Sequence, residues 1–360
     1  MFDRLYERLR RPTRSLAYRP ELDGIRLIAI LAVVVFHIGS TLVFVPGTGI
    51  GPQIVHAGHW GVQLFFVLSG FVLGLPFARA RLGQGERPAL GAFYLRRLTR
   101  LEPPYLLSLA FMWGLIVVFD RGRSLAVLPN VVAGALYVHG PVFGSLSPVH
   151  AAAWSLEVEA QFYLLVPLLA RLYSTRLLMP LALAALLLRL GLGPSRPLVE
   201  LTVLGWLPYF LVGMWVAEGD AAGWWGHLSG NVVSASGAAL SLILMALPPW
   251  AWEALPLAFG LLVLGATRPG TFRSLLSRRG IALLGGMSYS VYLWHLGILW
   301  FVGKGLRRVS IGSWEGQTVV GVLVGVPAVF AISALLYALV ERPCMDPAWT
   351  NRLRARLRRA

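Results

Sequence analysis

The stretch LDGIRLIAILAVVVFHIGSTLVF, residues 22–44, decides the fold. It is long enough to cross a hydrocarbon core of ~30 Å at ~1.5 Å of helical rise per residue. Its only ionisable side chains are Asp23, Arg26 and His37. Such a group costs several kcal/mol in hydrocarbon, so each one on a span is a functional candidate. His37 follows Arg26 by 11 residues, which at ~100° each is only about 20° past three turns, with about 16 Å of rise. Both side chains therefore leave one face of the helix. With Arg26 at the cytoplasmic headgroup level, His37 sits near the membrane midplane and faces the bundle interior. A neutral imidazole there suits general-base work on a hydroxyl. Spacing alone equally allows a packing histidine bonded to a neighbouring helix.

The rest of the chain agrees with a membrane reading. Of 360 residues, 57% are hydrophobic and 13% charged, and the mean hydropathy is +0.68, which excludes a soluble protein. The net charge of +16 would invite a nucleic-acid partner if the arginines striped a polar domain, but they sit between apolar runs, so none is expected. A single cysteine, Cys344, excludes an intrachain disulfide framework and multi-cysteine metal sites, and reads as a bystander thiol beside the last helix. No metal is expected.

Ten apolar runs punctuated by Arg, Pro or Gly are expected to span: 22–44, 60–78, 101–119, 154–172, 177–190, 201–217, 232–247, 253–267, 281–302 and 318–340. Residues 125–149 are also apolar, but Pro129, Gly134, Gly140, Pro141, Gly144 and Pro148 interrupt them, which predicts a re-entrant or surface element. The fold class is thus an all-α polytopic bundle with both termini cytoplasmic. In that arrangement, with Arg171 and Arg189 at the ends of their runs counted with the adjoining loops, 24 basic residues fall inside, 7 outside and Arg26 within the first span, as the positive-inside rule asks. The outer loop with Lys304, Arg307 and Arg308 runs against it. Three regions result: a basic cytoplasmic tail at 1–20, read as uncleaved, a transmembrane domain at 21–345, and a second basic tail at 346–360.

Further polar groups punctuate the spans. Arg96, Arg97 and Arg100 stand at the cytoplasmic mouth of the third run, and Arg97 and Arg100, at i,i+3, share a face where two guanidinium forks can clamp phosphates. Topology and anionic lipid are the ordinary uses of such a cluster. Glu157 and Glu159 open the fourth run about 200° apart, so only one shares a face with Tyr163; one is expected to be buried against a cation from another span. Ser288, Tyr292 and His295 form an i, i+4, i+7 polar stripe in the ninth run, and Glu341-Arg342-Pro343 closes the tenth. No Gly-x-Ser-x-Gly elbow, phosphate loop or dinucleotide fingerprint occurs. Gly70…Gly74 and Gly321…Gly325 fit small-residue helix packing.

These motifs together resemble the membrane acyltransferase-3 family, multi-span enzymes that move an acyl group from acyl-coenzyme A to hydroxyls of carbohydrates, glycolipids or secondary metabolites. The resemblance rests on Leu22-Asp-Gly-Ile-Arg26 with ten residues before His37, Gly61-Val-Gln-Leu-Phe-Phe-Val-Leu-Ser69-Gly-Phe71, Arg97-x-x-Arg100, Trp154-Ser-Leu-x-Val-Glu159, Ser288-Tyr-Ser-x-Tyr-Leu-x-His295 and Glu341-Arg-Pro. It implies that Arg26 and His37 form the core of an active site, that Arg97 and Arg100 serve the donor, and that Glu341 is required. The expected catalytic set is His37, Arg26, Glu159, His295 and Tyr292. The expected donor-binding set is Arg96, Arg97, Arg100, Ser69 and Glu341. Acyl-CoA, acetyl-CoA first, is expected as co-substrate, with His37 as base and the oxyanion donor open among Tyr292, Ser69 and Arg26. The expected partners are a hydroxyl-bearing acceptor and the lipid bilayer, and the expected place is a bacterial inner membrane. Some members carry an extracytoplasmic esterase-like domain, without which transfer is completed on the membrane domain or by a partner. A glycoconjugate transporter or flippase is the competing class, which inverted repeats would favour; a pure scaffold has no need of the polar stripe.

Overall fold

The computed structural model describes residues 6, 9–11, 18–42, 49–193, 196–306, 313–346 and 349. Most of the two basic tails, together with Arg307 and Arg308, lies outside the described residues. Among those described, every regular element is helical. The principal helices are α1 (Pro20–Thr41), α2 (Ile50–Ala57), α3 (Gly61–Arg81), α4 (Leu90–Phe119), α5 (Leu128–Ala135), α6 (His139–Phe143), α7 (Trp154–Leu169), α8 (Leu178–Leu192), α9 (Val203–Ala222), α10 (Gly230–Ala246), α11 (Leu255–Thr267), α12 (Arg279–Gly286), α13 (Ser288–Leu306) and α14 (Trp314–Leu336).

Among the described residues, six helical stretches are long and apolar enough to cross a membrane unaided, those built on α1, α3, α4, α9, α11 and α14. The pair α12 and α13 makes a seventh, bent by 63°. Helices α8 and α10 are apolar but have only 15 and 17 residues, and α7 has 16 with Glu157 and Glu159 in its first half. The ten expected runs are thus all helical, but they are unequal. Leu107, Phe111 and Val118 of α4, Leu183 and Leu187 of α8, and Leu323 and Leu335 of α14 are exposed, an apolar surface that fits a lipid shell. Helices α3 and α9 form the centre. Gly70 would bring a Cβ to 2.1 Å from the Phe210 carbonyl, and Gly213 to 2.0 Å from that of Val67, so glycine is what lets these two backbones touch.

The structure adds detail to three of the runs. Helix α4 extends upstream of the third run to Leu90, so Arg96, Arg97 and Arg100 stand on the same helix as that run. The ninth run is not one straight helix. Gly285 packs so closely on α1 that a Cβ would lie 1.7 Å from the Asp23 carbonyl, and the chain turns at Met287 before α13 restarts at Ser288. The tenth run ends in a π-helical turn, Tyr337–Glu341.

The interrupted segment 125–149 folds into the bundle as short helices, α5 and α6. Tyr105 donates to the Gly134 carbonyl at 2.9 Å, Tyr137 to Glu102 at 2.9 Å, and the Gly140 amide to buried Glu157 at 2.7 Å. Tyr137 holds a left-handed φ of 58°, costly for a tyrosine and maintained here by stacking on Tyr105 at 5.0 Å. One end of the bundle is tied by Asp220, which takes Arg19 at 2.9 Å and Arg268 at 3.3 Å. Another pair, Arg189 and Glu253 at 3.0 Å, joins α8 to the turn before α11.

Candidate active site

Five arginines and one carboxylate face a single cavity of about 370 Å³ between α1, α3, α4, α7 and α13: Arg11, Arg26, Arg96, Arg97, Arg100 and Glu159. Each is placed by a local reason. Asp23, one turn before Arg26, is buried and accepts from Arg26, from Arg11 at 3.1 Å and from Tyr18 at 3.1 Å. Burial, and then the Asp23 charge, push the Tyr18 hydroxyl well above its ordinary range, so it stays a donor. Two guanidiniums are thereby held against one carboxylate, and the cluster keeps positive charge to spare. On α4, Arg97 lies over the Phe93 ring at 3.6 Å and donates through Nη1 to the Phe93 carbonyl at 2.8 Å. The Nε–H groups of Arg97 and Arg100 are buried with no partner. Unsatisfied buried donors of this kind are costly, and an anion entering the cavity would satisfy them.

The far end of the cavity is hydroxyl-rich. Ser69 of α3 donates to Glu159 of α7 at 2.6 Å, so the glutamate facing Tyr163 finds a serine. Tyr292 is committed on both sides: its hydroxyl donates to the Ala152 carbonyl, and Ser155 therefore donates to it, at 2.6 Å. Neither Ser69 nor Tyr292 has a proton free for an oxyanion in this arrangement, whereas Arg26 commits one nitrogen to Asp23 and is itself among the residues that line the cavity.

Glu341 and the two histidines stand apart from the cavity wall. Glu341 is fully buried on the π turn, where its Oε2 accepts from the Ser290 amide at 3.0 Å and hydroxyl at 2.6 Å, capping the first turn of α13. Its other oxygen lies 3.8 Å from Arg100. His295, one turn beyond Tyr292 on α13, is fully buried and meets half-buried His37 at 3.2 Å between Nε2 and Nδ1. Thus the structure gathers Arg26, Arg96, Arg97, Arg100, Ser69, Glu159 and Tyr292 around one cavity, and pairs His37 with His295 behind it.

In the sequence Asp23 stands among the ionisable groups of the first span without a partner assigned, Arg11 is not singled out, and Cys344 reads as a bystander. The i,i+3 spacing of Asp23 and Arg26 carried the signal for the first; nothing local pointed to the others. Cys344 lines the cavity rather than standing aside.

Residues 19–338 match the family described as "Acyltransferase domain". "O-acetyltransferase OatA" of Staphylococcus aureus (strain NCTC 8325 / PS 47) is 24% identical over 80% of this chain and 51% of its own. "Peptidoglycan O-acetyltransferase OatA" of Listeria monocytogenes is 25% identical over 95% of this chain and 58% of its own. "Putative peptidoglycan O-acetyltransferase YrhL" of Bacillus subtilis is 29% identical over 43% and 24%. The chain spans a half to three-fifths of the two OatA relatives it matches. No solved structure matches it.

Proposed function

The chain belongs to the acyltransferase domain family and is a multi-pass membrane protein, and from that premise we propose that it transfers an acyl group, acetyl first, from acyl-CoA to a glycan hydroxyl. The observation that carries this reading is the separation between charge and base. Arg26 and His37 are about 16 Å apart along α1, the arginines gather at the Arg26 side of the cavity, and the histidine pair lies beyond Tyr292. A compact anionic donor such as an acyl phosphate cannot touch both. A long donor with a phosphorylated head and a thioester at the far end of a narrow arm can.

In this reading Arg96, Arg97 and Arg100, with Arg11 and Arg26 behind them, hold the phosphates. Glu341 sets Arg100 and the start of α13. The arm runs past Ser69 and Glu159 toward Tyr292, and His37 takes the acceptor's proton. Arg26 lies too far along α1 to serve the carbonyl, which leaves the oxyanion donor to be supplied on acceptor binding. The glycan acceptor is taken from the relatives, two of whose names carry peptidoglycan O-acetylation. We further propose ten crossings, with α7, α8 and α10 completing the set, and both termini in the cytoplasm where acyl-CoA is made.

Purified full-length chain in lipid nanodiscs, given acetyl-CoA and a soluble peptidoglycan fragment, should release free coenzyme A and acetylate the glycan. Coenzyme A release that never exceeds a protein-free control would refute the transferase reading and favour a transporter.

A further inference from the structure

We propose that His295 is a positioning residue for His37, accepting a hydrogen bond from His37 Nδ1–H so that His37 Nε2 is the nitrogen that takes the acceptor's proton. The proposal rests on the reading of His37 as general base.

The protons are assigned by what each nitrogen faces. His295 Nδ1 lies 2.7 Å from the Tyr292 carbonyl, which can only accept, so Nδ1 carries the hydrogen. In the neutral ring Nε2 then holds a lone pair, and that lone pair faces His37 Nδ1 at 3.2 Å. His37 Nδ1 also lies 2.9 Å from the Val33 carbonyl, a second acceptor, so it too must be the protonated nitrogen. Both neighbours of His37 Nδ1 therefore accept, and only Nε2 is left as a base. Val33 is one turn back on α1 and moves with His37, whereas His295 reaches across from α13 and fixes the ring between helices. His295 is itself held by Tyr292, whose hydroxyl is fixed by Ala152 and Ser155. A buried ring bonded on both nitrogens has no proton to exchange and no room to turn, which suits orientation rather than chemistry.

The transfer balances without another reactant. The acceptor's O–H proton passes to His37 Nε2 as its oxygen bonds to the acyl carbon. The thioester C–S bond then breaks, and the same proton goes to the leaving sulfur, so His37 returns neutral. While Nε2 is protonated, the lone pair of His295 and the Val33 carbonyl both face the charged ring.

The test compares His295→Gln with His295→Leu in full-length protein, reading kcat and KM for acetyl-CoA from coenzyme A release. Glutamine sets an amide oxygen near the place of Nε2, and leucine offers no acceptor. The leucine variant should lose ~10-fold or more in kcat, with KM within about twofold of the parent, and glutamine should restore kcat to within about threefold. Parental kcat with leucine, or glutamine as slow as leucine, overturns the proposal. If the leucine variant does not accumulate, glutamine alone decides, by near-parental or lost turnover. An active His37→Gln or a silent parent would instead remove the base assignment beneath it, while a defect confined to position 295 leaves that assignment standing.

Discussion

Asp23 binds Arg11, Arg26 and Tyr18 at once and so anchors the positive side of the cavity. Removing one partner from a buried ion pair costs ~3–5 kcal/mol because the other charge is stranded. Asp23→Asn should therefore lower the thermal midpoint of the purified protein and raise the KM for acetyl-CoA; an unchanged midpoint and KM would show that Arg26 needs no counter-ion. His37 makes the opposite kind of prediction. His37→Ala and His37→Gln should bind acetyl-CoA like the parent in equilibrium dialysis yet transfer acyl groups ~10²–10⁴-fold more slowly, since a general base acts in the transition state. A glutamine variant keeping a tenth of turnover would mean a packing role. The alignment of Arg26 and His37 was legible in the sequence because helical periodicity relates residues on one helix. The pairings His37–His295 and Ser69–Glu159 were not, since they join residues 258 and 90 apart whose meeting depends on how helices pack.

Helix α13 begins only because α12 stops. The break at Met287 frees the first amides of α13, and buried Glu341, brought up by the π turn, accepts from one of them. Periodicity placed Ser288, Tyr292 and His295 on one stripe and was right about the stripe, but a Gly285-Gly286 pair permits a straight helix as readily as a bend. What decides is the approach to α1, where a Cβ on Gly285 would lie 1.7 Å from the Asp23 carbonyl. Gly285→Val should thus drive α12 from α1 and yield little monodisperse protein by size exclusion, while Gly91→Ala, with open space around it, should behave like the parent. Equal behaviour of the two would contradict the packing.

At the scale of the whole molecule, composition was enough to read a membrane bundle, and the prolines and glycines of 125–149 were enough to mark a segment that is not a plain span. The crossing count was harder to read, because α7, α8 and α10 are short or carry carboxylates that only their neighbours satisfy. Orientation has a direct consequence. In a Cys344→Ser background, a cysteine at exposed Ser145 should react with an impermeant maleimide added to intact cells, and one at exposed Gly85 should react only after lysis. The reverse pattern would invert the bundle and put the arginine cavity on the wrong side for acyl-CoA. Whether that cavity holds acyl-CoA through its guanidiniums decides the donor. Equilibrium binding of radiolabelled acetyl-CoA to purified full-length protein, with and without Arg97→Ala/Arg100→Ala, tests this. Each charge-assisted bond is worth about 1.5–3 kcal/mol, so the double variant should weaken binding by ~10-fold or more, measured per folded protein because loss of Arg100 also strands buried Glu341. A parent that binds no acetyl-CoA, or a double variant that binds it as tightly as the parent, would contradict the account.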